Sequence, residues 1–205
     1  DAGVITYVDA YQSLGTLPLD VQALDVALLA SGNLKFLLGV PGIAFLYVRP
    51  EIAERMEPAV TGWFGRADPF AFDPLREDGL DWAPGARRFD SGTPPILPAY
   101  IARAGMELLL DVGLPAVAAW TRTLAGRLIE GGRDRGLELL GPVDPARRAP
   151  TVAFQVPDAH AVEETMRRHG VIASARGPAI RLAPHYHSSI ADVERALDAL
   201  GQAMR

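Results

Sequence analysis

The chain has 205 residues, 49% of them hydrophobic, with a formal net charge of −5 and a pI near 5.4. That balance gives no footprint for a nucleic-acid or polyanion partner, no run reaches the ~18 uninterrupted apolar residues of a membrane span, and zero cysteines exclude disulfides, thiolate metal sites and thiol nucleophiles within the chain. No basic segment followed by an apolar one reads as a signal peptide, and a cytoplasmic location is the expectation.

Val4-Ile5-Thr6-Tyr7-Val8 is β-branched and aromatic and predicts a buried strand ending at Asp9. Leu19 to Leu24 predicts a short helical connection with Asp20 at its N-terminus, and Val26 to Ala30 a second buried strand closed by Ser31-Gly32-Asn33. Gly42 to Val48 predicts a third strand, and Pro50 to Met56 a helix with its proline in the first turn. Continuous apolar strands joined by short helical pieces indicate an α/β sheet covered on both faces. From Glu57 to Pro98 no period survives, and a loop region this long is usually functional or interfacial.

Helices return at Ala99 to Asp111 and at Pro115 to about Gly131, the second with Val117, Trp120, Leu124 and Leu128 on one stripe. Leu137 to Leu140 and Thr151 to Val156 read as strands, and Asp158 caps a helix that ends before Gly170. Val171 to Ala175 and Ala179 to Leu182 form a hairpin around Gly177-Pro178. Ser189 caps a last helix with Ile190, Val193, Leu197, Leu200 and Met204 on one face. The expected organisation is part of an α/β layer over residues 1–112, followed by a small α+β domain over 113–205.

Among the basic residues nineteen are arginine and one is lysine, Lys35, inside the mostly apolar run Leu34-Lys35-Phe36-Leu37-Leu38-Gly39-Val40. A guanidinium does not readily lose its proton to attack a carbonyl; a lysine amine does, once burial lowers its pKa and frees the lone pair. The ordinary alternative is an arginine-biased composition that leaves one snorkelling lysine. If the first two strands are parallel neighbours, Asp9, Gln12 and Lys35 stand at the same carboxyl edge, where open α/β sheets place their ligand crevice. An acid, an amide and an amine in one crevice suit pyridoxal phosphate: the acid keeps the pyridine nitrogen protonated, the amide bonds the phenolic oxygen, and the amine carries the aldehyde as an imine. Taken singly, Asp9 reads as a turn cap and Gln12 as a solvated loop residue.

The segments Asp9-Ala10-Tyr11-Gln12-Ser13-Leu14-Gly15, Pro18-Leu19-Asp20-Val21, Ser31-Gly32-Asn33-Leu34-Lys35-Phe36 and Pro41 to Val48 together resemble the class V aminotransferase family of fold-type I. The resemblance implies a partial pyridoxal-phosphate-binding large domain, with Lys35 as the Schiff-base lysine, Asp9 at the pyridine nitrogen and Gln12 at the ring oxygen. Arg88-Phe89-Asp90-Ser91-Gly92-Thr93-Pro94 looks like the family's segment that reaches the neighbouring subunit's cofactor phosphate, which implies a role for Thr93 and a homodimer with active sites at its interface. Its alternative is a plain turn before a helix. Ile180-Arg181-Leu182-Ala183-Pro184-His185-Tyr186 resembles the motif whose arginine binds the carboxylate of the amino-acid substrate; the alternative for Arg181 is a surface ion pair.

Gly62-Trp63-Phe64-Gly65 with Phe70, and Pro84 to Phe89 before Pro94-Pro95-Ile96, are similar to kynureninases, which hydrolyse a carbon–carbon bond in kynurenine. That likeness implies Trp63 at the cofactor phosphate; otherwise it is a core aromatic. Arg66 and Thr93 depart from the histidine and asparagine usual there. Cysteine desulfurases match less well, because Leu34 replaces the usual histidine before the lysine and the small domain has no cysteine. Transamination, carbon–carbon hydrolysis and epimerisation all remain open, as does a truncated, non-catalytic relative acting as a binding or dimerisation module. His185 and His187 lack a third ligand at metal spacing and read as polar residues of the small domain. The family's phosphate-cupping helix and stacking aromatic ring lie earlier than this chain's first strand, so the chain is expected to be the C-terminal half of a longer enzyme.

Overall fold

A computed structural model describes residues 3–71 and 79–205. The chain divides into two compact units, residues 1–14 with 19–108, and residues 15–18 with 109–205.

In the first unit, β1 (Tyr7–Asp9), β2 (Leu28–Gly32) and β3 (Ala44–Val48) form a three-stranded sheet in that order. β1 runs parallel to β2, with Tyr7 opposite Leu28 and Asp9 opposite Ala30, which meets the condition for Asp9 and Lys35 to share an edge; the strand expected from Val4 is formed only from Tyr7. β3 is antiparallel to β2, so the sheet is mixed. Ala10, Val26 and Leu29 are buried, with Val8, Leu14, Phe45 and Tyr47 packed on them. Among the described residues β1 pairs with β2 alone, and Val4, Ile5 and Tyr7 are exposed.

The connection predicted as a helix at Leu19 to Leu24 is a single turn. Asp20 Oδ1 accepts the N–H groups of Gln22 and Ala23, but Asp25 adopts φ 51°, in the left-handed region, and stops propagation. Helix α1 covers only Pro50–Ala53, because Glu57 precedes Pro58 and such a residue is driven out of the helical region.

Two 3-10 turns, Trp63–Gly65 and Gly85–Phe89, organise the segment that shows no period in sequence. Buried Arg88 ties them down. Its guanidinium donates to Glu54 Oε2 at 2.7 Å, the Met56 carbonyl at 3.2 Å and the Ala83 carbonyl at 3.3 Å. A fork with five donors fits this three-way task, and lysine would not.

Helix α2 (Ile96–Val112) starts earlier than periodicity suggests, since Pro98 sits in the first turn where its missing N–H costs nothing. Gly113, at φ 88°, separates it from α3 (Leu114–Asp134). In the second unit β4 (Val152–Gln155), β6 (Ala179–Leu182) and β5 (Ser174–Arg176) form an antiparallel sheet, β6 in the middle. α3, α4 (Ala159–Arg168) and α5 (Ile190–Ala203) bury Leu124, Leu128, Met166, Val193, Leu197 and Leu200 with Phe154 and Ile180 of the sheet. Asp158 and Ser189 cap α4 and α5 as expected, the latter in a full capping box with Asp192.

Three expectations are corrected in this unit. Leu137 to Leu140 makes one bridge, Leu139 to Phe154, rather than a strand. The first hairpin strand shrinks to Ser174–Arg176 and leaves Ile172 92% exposed. Met204 follows the end of α5 and is 38% exposed, off the buried face. Among the described residues no helix is long and apolar enough to cross a membrane.

Candidate active site

Parallel pairing of β1 and β2 sends both strands out at one edge, and the residues that follow meet there. After Asp9 the backbone stays bonded to the neighbouring strand, Ala10 N–H donating to the Ala30 carbonyl at 2.9 Å. It then turns, the N–H groups of Ser13 and Leu14 both donating to the Ala10 carbonyl. Asp9 Oδ1 accepts the Tyr11 N–H at 2.9 Å, which orients the exposed carboxylate; among the described residues its second oxygen has no partner. Gln12 sits half-buried in this turn, its amide unbonded among the described residues.

β2 ends at Gly32, and the lysine loop begins. Leu38 N–H donates to the Lys35 carbonyl at 3.0 Å, and Gly39 N–H to the Asn33 carbonyl at 2.7 Å, closing a compact turn with Leu38 at φ 61°. Phe36 and Leu37 are buried and anchor the turn. Helix α2 presents Gly105 to it because a Cβ there would stand 2.5 Å from the Leu37 carbonyl oxygen. Asn33 is 2% exposed; its Nδ2 lies 3.5 Å from the Ile43 carbonyl, and its Oδ1 is buried without a partner among the described residues. Phe36 and Leu37 therefore turn inward, while Leu34 and Lys35 stay exposed.

The expected burial of the Lys35 amine is thus corrected. The residue is exposed, and its Nζ lies 4.7 Å from the centroid of the Tyr11 ring. The structure brings Asp9, Gln12 and Lys35 to one sheet edge and leaves that edge open.

Trp63 is not a core aromatic. It is 46% exposed, in a cluster with Phe64 at 5.7 Å and Phe70 at 6.1 Å between ring centroids. Thr93 is exposed and lines a groove with Phe64, Ser91 and Gly92 on one side and Gly42 to Ala44, the end of the lysine loop, on the other. Arg181 belongs to the second unit. On β6 its neighbours Ile180 and Leu182 enter the core, so by alternation Arg181 stands on the opposite face, between Ala153 and Ser174 of the flanking strands. Among the described residues its guanidinium makes no ion pair. Arg176 bonds the Ala175 carbonyl of its own hairpin. His185 is buried, its Nδ1 accepting the Tyr186 N–H at 2.6 Å, and its ring stacks on His187 at 5.3 Å.

Sequence reasoning gives no role to three residues: Tyr11 and Arg88, which lie inside the quoted motifs, and Asn33, which closes a strand there. Tyr11 alone carried a signal for this edge, its position between Asp9 and Gln12.

The family model described as Aminotransferase class-V matches residues 1–195. The chain belongs to the class V aminotransferase family. It is 36% identical over 199 residues to the uncharacterized aminotransferase YcbU of Bacillus subtilis (strain 168), covering 96% of this chain and 50% of that one. It is 33% identical over 187 residues to a kynureninase of Deinococcus radiodurans, covering 87% and 44%. Its backbone superposes with a TM-score of 0.87 on the apo structure of a cysteine desulfurase from Thermococcus onnurineus NA1, at 26% identity, over 98% of this chain and 53% of that one. The fold is therefore the mixed α/β fold of fold-type I enzymes, and the chain spans about half the length of the curated relatives it matches. The two residues that set desulfurases apart in sequence do not set their backbone apart.

Pyridoxal phosphate is the cofactor this class V membership implies, and the donor set fits it. Among the described residues, a carboxylate with one oxygen fixed and one uncommitted, an unbonded amide and an amine without an ion-pair partner share one edge.

Proposed function

We propose that this class V chain is the lysine-bearing part of a pyridoxal-phosphate enzyme acting on an amino acid, of the transaminase or kynureninase type. The observation that carries it is the convergence of Asp9, Gln12 and Lys35 at the carboxyl edge of β1 and β2. When bound, pyridoxal phosphate supplies an aldehyde for an amine and a ring that takes up electrons from a bond broken at the substrate carbon. Asp9, with Oδ1 held by the Tyr11 N–H, offers its second oxygen to the proton on the pyridine nitrogen and keeps that proton in place. The Gln12 amide would donate to the ring oxygen. Lys35 Nζ would hold the cofactor between turnovers and, when free, move a proton at the substrate carbon. Trp63 would meet the cofactor phosphate, Thr93 that of the neighbouring subunit, and the planar fork of Arg181 would take the substrate carboxylate with two hydrogen bonds. A homodimer with the site at its interface, in the cytoplasm, belongs to the same proposal. Its support is the groove at Thr93, which remains open on this chain.

Incubation with pyridoxal phosphate followed by borohydride should place one stable label on Lys35, absent in Lys35→Arg. Kynurenine titrated against common amino acids then sorts carbon–carbon hydrolysis from transamination by product. A second reading has its own observation. Val4, Ile5, Tyr7, Leu97 and Tyr100 form apolar surface that a non-catalytic binding or dimerisation module would use. An unlabelled Lys35 would end the enzyme reading in favour of that one.

A further inference from the structure

Lys35 is exposed, yet its amine is not adrift, and the reason lies in a residue outside the expected donor set. Three observations meet at Tyr11. Its backbone N–H holds Asp9 Oδ1 at 2.9 Å. Its ring lies against the Cα of Gly32 so closely that a Cβ there would overlap the phenol oxygen and ring carbons. The exposed face of the same ring carries Lys35 Nζ, 4.7 Å from the centroid. The ring is thus pinned to the end of β2, and the lysine three residues on folds back over it. A long exposed side chain otherwise spreads over many rotamers, and a ring quadrupole under the ammonium narrows that spread to one seat.

We propose that Tyr11 is the positioning residue of the site: its backbone fixes the Asp9 carboxylate and its ring seats the Lys35 amine, so that one residue sets both groups that meet the cofactor. This rests on the reading of Lys35 given above. Two consequences are specific. The hydroxyl is dispensable, since it packs on Gly32 rather than bonding the amine, so phenylalanine serves. A side chain at position 32 is harmful even though Gly32 touches nothing that reacts, because it lifts the ring.

The test is made on the protein stripped of pyridoxal phosphate. Reductive methylation with 13C-formaldehyde labels Lys35, which Lys35→Arg assigns. The methyl resonance should show an upfield ring-current shift in the native protein and in Tyr11→Phe, and should move to the position of free dimethyl-lysine in Tyr11→Leu. A native resonance already at the free position, or one unmoved by Tyr11→Leu, overturns the proposal. If Tyr11→Leu does not fold by circular dichroism, Gly32→Ala replaces it and should lose the shift in the same way; a retained shift overturns the proposal equally. Borohydride trapping with pyridoxal phosphate should slow about two- to fivefold in whichever of these variants folds, the size of an exposed cation–π contact. A ring-current shift without any label on native Lys35 defeats the enzyme reading alone, and label without a shift defeats the role of Tyr11 alone.

Discussion

The two compact units solve opposite problems. The second closes on itself: α3, α4 and α5 cover one face of a three-stranded sheet, and a continuous cluster from Leu124 to Leu200 is buried there. The first has only a small cluster, Ala10, Val26 and Leu29, packed at its sheet, buries Phe36, Leu37 and Val48 besides, and leaves Val4, Ile5, Tyr7, Leu97 and Tyr100 at the surface. Asp9, Gln12 and Lys35 are on the open one. A unit that spends its apolar strands on an exposed edge cannot be rigid by burial alone, so it relies on local devices: the Asp9–Tyr11 bond, the close approach at Gly105 and the Arg88 clamp. The second unit carries Arg181 on a strand whose other face is core.

Truncations should break this contrast if it is wrong. Phe154→Ala, at a fully buried position of the second unit, should cost about 3–5 kcal/mol in urea denaturation. Arg88→Ala comes next. Its Glu54 partner is 58% exposed and returns to water, but two backbone carbonyls lose their donor, so roughly 2 kcal/mol is expected, with faster hydrogen exchange over residues 61–67. Gly132→Ala drives a methyl into the Phe154 ring, and overpacking of about 1–3 kcal/mol is set against roughly 1 kcal/mol gained in helix propensity, a net loss seen as a lower melting temperature.

Ser189→Ala removes the α5 cap for about 1 kcal/mol. That cap also has a pH signature. Hydrogen bonds from the Ser189 backbone N–H and hydroxyl hold the Asp192 carboxyl below the usual aspartate range. A depressed folded value means the contribution is fully present above the ordinary aspartate pKa of about 3.9 and is lost as pH falls through the lower folded value. In acid titration the gap between native protein and Ser189→Ala should therefore narrow as pH falls through that window, by the share of the hydroxyl–carboxylate bond, and keep the share of the Ser189 hydroxyl that accepts the Asp192 N–H. Smallest of all is Leu97→Ala, at 70% exposure in the first unit, which should stay within about 0.5 kcal/mol. A cost there near that of Phe154→Ala would show that the first unit's apolar surface is covered in solution.

Legibility followed the same divide. Asp158 and Ser189 announce their helices because a cap acts on N–H groups two or three residues away, and the α5 stripe from Val193 to Leu200 is periodic. The single turn at Asp20 misleads for the same reason: the cap is present, but Asp25 ends the helix it starts. Pro98 hides the first turn of α2, and the segment after Glu57 has no period because Arg88, reaching Glu54, Met56 and Ala83, rather than a ladder, holds it.

The order Asp9, Gln12, Lys35 and family membership were legible in sequence, because residue type and short-range spacing suffice for each; the parallel pairing of β1 and β2 stood there only as a condition and was decided by the fold. Only tertiary structure decided that Phe36 and Leu37 turn inward and carry the lysine out, that Tyr11 lies on Gly32 beneath the amine, and that Arg88 is buried. Those outcomes depend on which atoms distant parts of the chain bring within van der Waals or hydrogen-bond range, and no local pattern encodes that.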